Sequence, residues 1–302
     1  MPRLVDTSAA LAEITAQLDA QGYVADRQIA MTLHLARLLD KPILLEGPAG
    51  VGKTEIAKAL AAVNEAELIR LQCYEGLDAN QAIYEWNYQR QLLYLKMSEG
   101  DGKDVASKEA HIFGKDFLLE RPLLRAITGT QPAVLLIDEI DRSDEEFESF
   151  FLELLSDWQL SIPEIGTLPA ERKPAVVLTS NRTRELSDAL RRRCLYLWID
   201  YPDREKETAI LRRRLPEIDA RLAKQITAFM AELRQRRLEK VPGIAETLDW
   251  AMALAALHID HLDQAVVEDT LGVVLKDWKD VRETQDSLSE LFARTGVDLK
   301  VD

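Results

Sequence analysis

Cysteine and histidine are scarce, with two and four residues respectively in a chain of 302. Cys73 and Cys194 lie far apart and match no metal-ligand spacing, so neither a disulfide framework nor a zinc module is implied. His258 and His261 are three apart in a stretch of helical period, but no third ligand of matching pattern accompanies them. Long apolar runs are missing too, and none approaches the length of a bilayer span. The first residues, Met1 to Asp6, lack the charged-then-apolar order of a secretory signal. These absences lead to the expectation of a reduced, cytoplasmic protein. Positive charge is also outweighed, 38 basic against 52 acidic residues, for a net charge of −14. A protein that coats nucleic acid needs a basic surface from which counterions are released, so the balance argues against that role. No internal repeat or low-complexity tract interrupts the chain.

The chain is organised around Gly47-Pro48-Ala49-Gly50-Val51-Gly52-Lys53-Thr54. An apolar run, Pro42 to Leu45, precedes it, and Ile56, Leu60 and Val63 come after it on one helical face. This is the strand–loop–helix setting that the phosphate-loop pattern GxxxxGK[ST] requires. Glycines let successive backbone N–H groups turn towards phosphate oxygens, and the new helix adds the positive end of its dipole. Lys53 is placed to reach the β- and γ-phosphates, and the Thr54 hydroxyl to hold Mg²⁺. The stretch implies binding of a nucleoside triphosphate.

The rest of the chain reads as strands alternating with helices, then helices only. The spacing predicts helix up to about Asp40, broken at Gly22-Tyr23-Val24, and a strand over Leu68 to Gln72. An aromatic-rich helix is expected from about Asn80 to Met97, followed by a polar, glycine-broken surface loop or mobile insertion from Ser98 to Phe117. Its aromatics are read chiefly as core. Buried strands are expected at Val134 to Ile137 and Ala175 to Thr179, with a last strand over Cys194 to Ile199. Between them, Ser143 and Glu146 read as a capping box for a helix whose stripe is Phe147, Phe150, Phe151, Leu154, Leu155 and Trp158. A hairpin is expected around Pro163 to Gly166. Beyond Tyr201-Pro202-Asp203 every segment has helical period, which predicts a parallel α/β domain followed by a small helical one. Clusters at Arg212 to Arg214 and Arg234 to Arg237 read as solvated helix faces.

Hydrolysis needs more than a phosphate loop. Asp138-Glu139 ends an apolar strand, so the first carboxylate can join the Mg²⁺ shell and the second can orient and deprotonate a water. Ser180-Asn181 ends the next strand, and the C-terminal ends of strands face the ligand crevice in open α/β sheets, which puts the Asn181 amide within reach of the γ-phosphate or the water. Arg193, last of Leu190-Arg191-Arg192-Arg193-Cys194, could neutralise transition-state charge, although spacing alone fits a solvated helix end better.

The ordered set Gly47–Thr54, Val134–Glu139, Leu178–Asn181 and Leu190–Cys194, with a helical region behind it, resembles the AAA+ ATPases over nearly the whole chain. The span 78–117 and the hairpin at about 159–168 look like the helix-2 insertion and pre-sensor hairpin of the MoxR branch. Ala82 to Gln91 and Pro242 to Trp250 look most like MoxR ATPases associated with carbon monoxide dehydrogenase and other molybdenum hydroxylases. The resemblance implies a P-loop NTPase fold: a three-layer αβα domain with a parallel sheet over 1–202, then a helical lid over 203–302. It also implies ATP and Mg²⁺ as cofactors, with Lys53, Thr54 and Asp138 as their contacts, Glu139 as catalytic glutamate and Asn181 as sensor. Arg193, helped by Arg192, takes the place of an arginine finger acting on a neighbouring subunit. The implied partners are further copies in a ring, commonly a hexamer, a von Willebrand factor A domain protein, and a metalloenzyme client matured or remodelled by ATP hydrolysis. One departure stands out: the segment after Pro242-Gly243 reads Ile244-Ala245-Glu246-Thr247, without the sensor arginine of many relatives. A MoxR ATPase for another metalloenzyme, a nucleic-acid motor and a partner-gated nucleotide switch are the alternatives.

Overall fold

The computed structural model describes residues 7–99 and 104–295. Gly100 and Gly102, two of the glycines that break the polar insertion, and the first six residues lie outside them. The described residues divide into two compact units, one of residues 28–46 and 57–197, the other of 7–27, 47–56 and 198–295.

The first unit is built on five strands: β1 (Ile43–Glu46), β2 (Glu67–Gln72), β5 (Ala133–Asp138), β8 (Ala175–Ser180) and β9 (Leu195–Trp198). Their order is β2-β5-β8-β1-β9, and the β2/β5, β5/β8 and β8/β1 pairings are parallel. The inner strands are the continuous apolar runs of the sequence, buried along almost their whole length, whereas the edge strand β2 alternates. Parallel pairing sends Glu46, Gln72, Asp138 and Ser180 to the same edge of the sheet. Two antiparallel ribbons complete the strands, β3 (Tyr84–Trp86) with β4 (Leu118–Glu120) and β6 (Gln159–Ile162) with β7 (Gly166–Pro169). The second of these is the expected hairpin.

Helices α2 (Arg27–Leu39), α3 (Lys53–Val63), α4 (Ala79–Ile83), α5 (Tyr88–Met97), α6 (Val105–Ile112), α7 (Pro122–Thr128), α8 (Glu145–Asp157) and α9 (Asp188–Arg193) accompany the strands. Leu44, Leu135, Ile137 and Leu178 of the sheet share one core with Leu123 and Ile127 of α7 and Phe147 and Phe151 of α8. In the second unit, α1 (Thr7–Ala20) precedes α10 (Arg204–Arg214), α11 (Ala220–Arg234), α12 (Ile244–Ala256), α13 (Gln264–Val274), α14 (Trp278–Asp286) and α15 (Leu288–Thr295). Their core centres on Phe229, whose ring meets Trp250 at 5.3 Å and Phe292 at 5.6 Å.

Several expectations fail locally, each for a physical reason. The single helix expected over 80–97 is α4, the strand β3 and α5, because Tyr84 to Trp86 pair with Leu118 to Glu120 across the insertion. The stretch 98–117 is not all loop. Asp104 caps α6, accepting from the Ser107 N–H, and His111 and Phe117 pack on Tyr94 while Phe113 packs on Trp86. Ser143 does not cap α8. Asp144 does so, accepting from the Phe147 N–H, while the Ser143 hydroxyl donates to the Ile140 carbonyl. His258 and His261 lie beyond the end of α12, not on a helix. The Arg234 side chain is largely covered rather than solvated, paired with the buried Glu207 of α10.

Candidate nucleotide site

The phosphate-loop residues belong to the second unit. Gly47, Gly50 and Gly52 have φ of 157°, 77° and 91°, values that residues with a Cβ rarely adopt, and they wind the loop into the first turn of α3. At Gly47 space matters as well, since a Cβ would lie 1.9 Å from the Ile199 carbonyl oxygen. Lys53 is buried, and its ammonium donates to the Gly47 and Pro48 carbonyls at 2.8 and 2.7 Å. Thr54 follows it in the first turn of α3.

Beside the loop lies an apolar pocket of about 70 Å³, lined by Tyr23, Val51, Ile199, Ile210, Ile244 and Leu248 among others. In the sequence Tyr23 is merely part of the break between two helices, with no mark of a pocket residue. Its phenol is held neutral far into the alkaline range, first by burial and then by the Asp26 and Glu55 carboxylates. Two arginines of α10 are engaged here, Arg214 with Glu55 at 2.7 Å and Arg213 with Asp19 at 2.8 Å.

The carboxylates belong to the first unit. Asp138 ends β5, buried, its Oδ1 accepting from the Thr179 hydroxyl at 2.5 Å and its Oδ2 from the Arg70 guanidinium. The next residue, Glu139, has φ 55° and ψ 49°, a left-handed conformation that is uncommon for a residue with a side chain. It takes three donors: Gln72 Nε2 at 3.1 Å, Arg142 Nε at 2.9 Å and Asn181 Nδ2 at 3.2 Å. Its backbone N–H donates to the Thr179 hydroxyl, so one threonine fixes both acidic residues. The buried Asp141 carboxylate accepts from the backbone N–H groups of Asn181 and Thr183 and anchors the end of β8.

Asp138, Glu139 and Asn181 are therefore brought together, as their positions at strand ends implied. Gln72, Arg70, Arg142, Thr179 and Asp141 were not singled out in the sequence. Register could have found the first, because Gln72 pairs with Asp138 across two strands whose limits were already legible. Arg193 and its neighbour Arg192 sit apart from this group on exposed turns of α9. Arg193 donates to the Ala189 carbonyl at 3.4 Å and the Ser156 hydroxyl at 3.2 Å, both weak contacts on the surface. Near the carboxylates, Cys73 is pushed up to about 12, first by burial and then by Asp138, Asp141 and Glu139. Its thiol stays protonated and plays no nucleophilic part at neutral pH.

Residues 42–194 match the family described as AAA domain (dynein-related subfamily). Over 93% of its length the chain is 28% identical to the gas vesicle ATPase GvpN2 of Halobacterium salinarum, covering 83% of that protein. It is 26% identical to the gas vesicle ATPase GvpN of Haloferax mediterranei over 84% of this chain and 75% of that one. Among solved structures, a P216G mutant of RuvB from Thermotoga maritima superposes with a TM-score of 0.50, at 19% identity, over 94% of this chain and 80% of that chain, a likeness of fold. With the parallel sheet, the phosphate loop and the paired acids at the end of β5, the chain belongs to the AAA domain family, in its dynein-related subfamily, and is an ATP hydrolase of the AAA+ fold.

Proposed function

We propose that the chain is a MoxR-type ring ATPase that uses hydrolysis to mature or remodel a metalloenzyme, a molybdenum hydroxylase such as carbon monoxide dehydrogenase foremost. The resemblance of Ala82–Gln91 and Pro242–Trp250 to that subgroup carries the reading. AAA+ ATPases generally work as oligomeric rings; a hexamer, a von Willebrand factor A domain partner and a cytoplasmic setting complete the proposal for this chain. No helix among the described residues is long and apolar enough to cross a membrane.

Within the site, the proposed roles rest on the chemistry of the groups. Lys53 and the loop amides bind the phosphates, and the apolar pocket at Tyr23 and Ile244 takes the base. Thr54 and Asp138 hold Mg²⁺, an ion that is usually bound through one or two protein oxygens together with phosphate. Glu139 orients and deprotonates the attacking water, Asn181, whose amide donates to Glu139, is the sensor that reaches the γ-phosphate or the water, and Arg193, with Arg192, serves a neighbour's site. The domain limits, 1–202 for the nucleotide domain and 203–302 for the lid, belong to the same proposal.

A second reading is favoured by the relatives, which are named gas vesicle ATPases. Deleting the gene separates the two. The first reading expects hydroxylase protein to accumulate with little activity, and purified inactive hydroxylase to be activated by this chain and ATP. Fully active hydroxylase in the deletion strain, together with loss of gas vesicles, would establish the second.

A further inference from the structure

The phosphate loop touches the start of α12 backbone to backbone. The Ile244 N–H donates to the Gly50 carbonyl at 2.8 Å. The approach is so close that a Cβ on Gly243 would lie 2.6 Å from the Gly50 oxygen and 2.7 Å from its Cα. A Cβ on Gly50 would in turn come within 3.0 Å of the Gly243 Cα, and Gly50 already has φ +77°. Two glycines thus meet where any side chain would force the chains apart.

The α12 end of this contact is held from several sides. The Gly243 N–H donates to the Glu246 carboxylate at 2.8 Å. The Gly243 carbonyl accepts from Arg234 at 3.2 Å, and the Thr247 hydroxyl oxygen lies 3.1 Å from it. Arg234 also donates to the Pro242 carbonyl at 2.8 Å, and its position is set by a two-pronged pair with the buried Glu207. Arg234 is already satisfied within this scaffold and the first turn of α12 holds no arginine, while Lys240 and Lys276 line the pocket beside Ala49 and Gly50.

We infer that Gly243 is a positioning residue for triphosphate binding: through the Ile244–Gly50 bond, the start of α12 fixes the crest of the phosphate loop. The inference rests on the reading of Gly47–Thr54 as the phosphate site. The N–H groups of Val51 and Gly52 come directly after Gly50 in sequence, so moving the crest re-aims the donors that phosphate needs. Displacement of a positioned group by about 1 Å can cost about 10²-fold. Because the crest serves binding and the water is handled by Glu139, the loss should fall on KM and leave kcat nearly intact.

The test is Gly243→Ala, assayed for steady-state hydrolysis of ATP with Mg²⁺ beside the parent and a Gly272→Ala control. Gly272 lies on α13, where a Cβ meets nothing within 4 Å. The expected result is a KM raised about tenfold or more with kcat within about twofold of the parent, and a control that matches the parent. A folded Gly243→Ala protein with the parent's KM overturns the inference, as does one that loses kcat at unchanged KM. If Gly243→Ala does not fold, amide exchange in the nucleotide-free parent decides. Helix first-turn N–H groups have no intrahelical partner, so protection of Ile244 comparable to Ala251 is expected, and open-chain exchange at Ile244 overturns the inference. Failure of the underlying reading looks different: Lys53→Ala would then bind ATP as tightly as the parent.

Discussion

Replacing Arg234 with methionine should be among the most damaging single changes in the helical part of the chain. The guanidinium donates to both Glu207 oxygens at 2.7 Å and to Pro242, Gly243 and Thr247, with the Tyr201 ring 5.2 Å from its central carbon. The Arg234 side chain is 7% exposed and that of Glu207 1%. Methionine keeps much of the volume but leaves a buried carboxylate with Thr247 as its remaining side-chain donor. Breaking a buried pair in this way costs about 3–5 kcal/mol, because one charge stays desolvated without its partner. At about 2–4 °C per kcal/mol for a chain of this size class, the midpoint should fall by about 6–20 °C. Thermal and urea unfolding at neutral pH would measure it. The double variant Glu207→Gln, Arg234→Met removes both charges and should recover a good part of the loss. A single variant that loses less than about 1 kcal/mol would show that the pair behaves like a surface salt bridge and refute the reasoning.

Other consequences are open to measurement. Arg193→Ala should bind ATP as the parent does yet turn over about 10³–10⁵-fold more slowly. Mixed with Glu139→Gln subunits it should regain some activity, whereas co-assembled mixtures as inactive as either single variant would remove the trans role. Cys73 and Cys194 are both buried and pushed up to about 12, in each case first by burial, so neither should react with iodoacetamide at pH 8 until the chain unfolds. Their folded values lie above the ordinary 9.0, so the unfolded chain loses thiol protons first as pH rises. Stability should therefore be intact below about pH 9 and fall towards pH 12, with a shallower slope in Cys73→Ala.

The sheet and the phosphate loop were legible because their signals are local. Four-to-six-residue apolar runs such as Val134 to Ile137 can bury both faces only as inner strands, and the phosphate-loop pattern itself demands a strand before it and a helix after it. The insertion was misread for the opposite reason. Tyr84 to Trp86 has helical neighbours on both sides, and only the pairing with Leu118 to Glu120, far along the chain, makes it a strand. Asp138, Glu139 and Asn181 could be named from their places at strand ends. The donors that hold them, Gln72, Arg70 and Arg142, depend on register and on a left-handed turn at Glu139 that no pattern announces. The burial of Arg234 was hidden in a run of like charges, because its partner Glu207 lies 27 residues earlier on another helix.

The central claim is that Lys53 serves binding while Glu139 serves the chemical step, and comparing Lys53→Ala with Glu139→Gln tests it most directly. Nucleotide affinity and turnover would be measured for both variants with ATP and Mg²⁺. Lys53 lies among the loop carbonyls of the phosphate site, whereas Glu139 ends the strand with its carboxylate held by Gln72, Arg142 and Asn181. Lys53→Ala should lose affinity for ATP. Glu139→Gln should bind ATP as tightly as the parent and fail to turn it over. Equal loss of affinity in the two variants, or parental turnover by Glu139→Gln, would contradict the account.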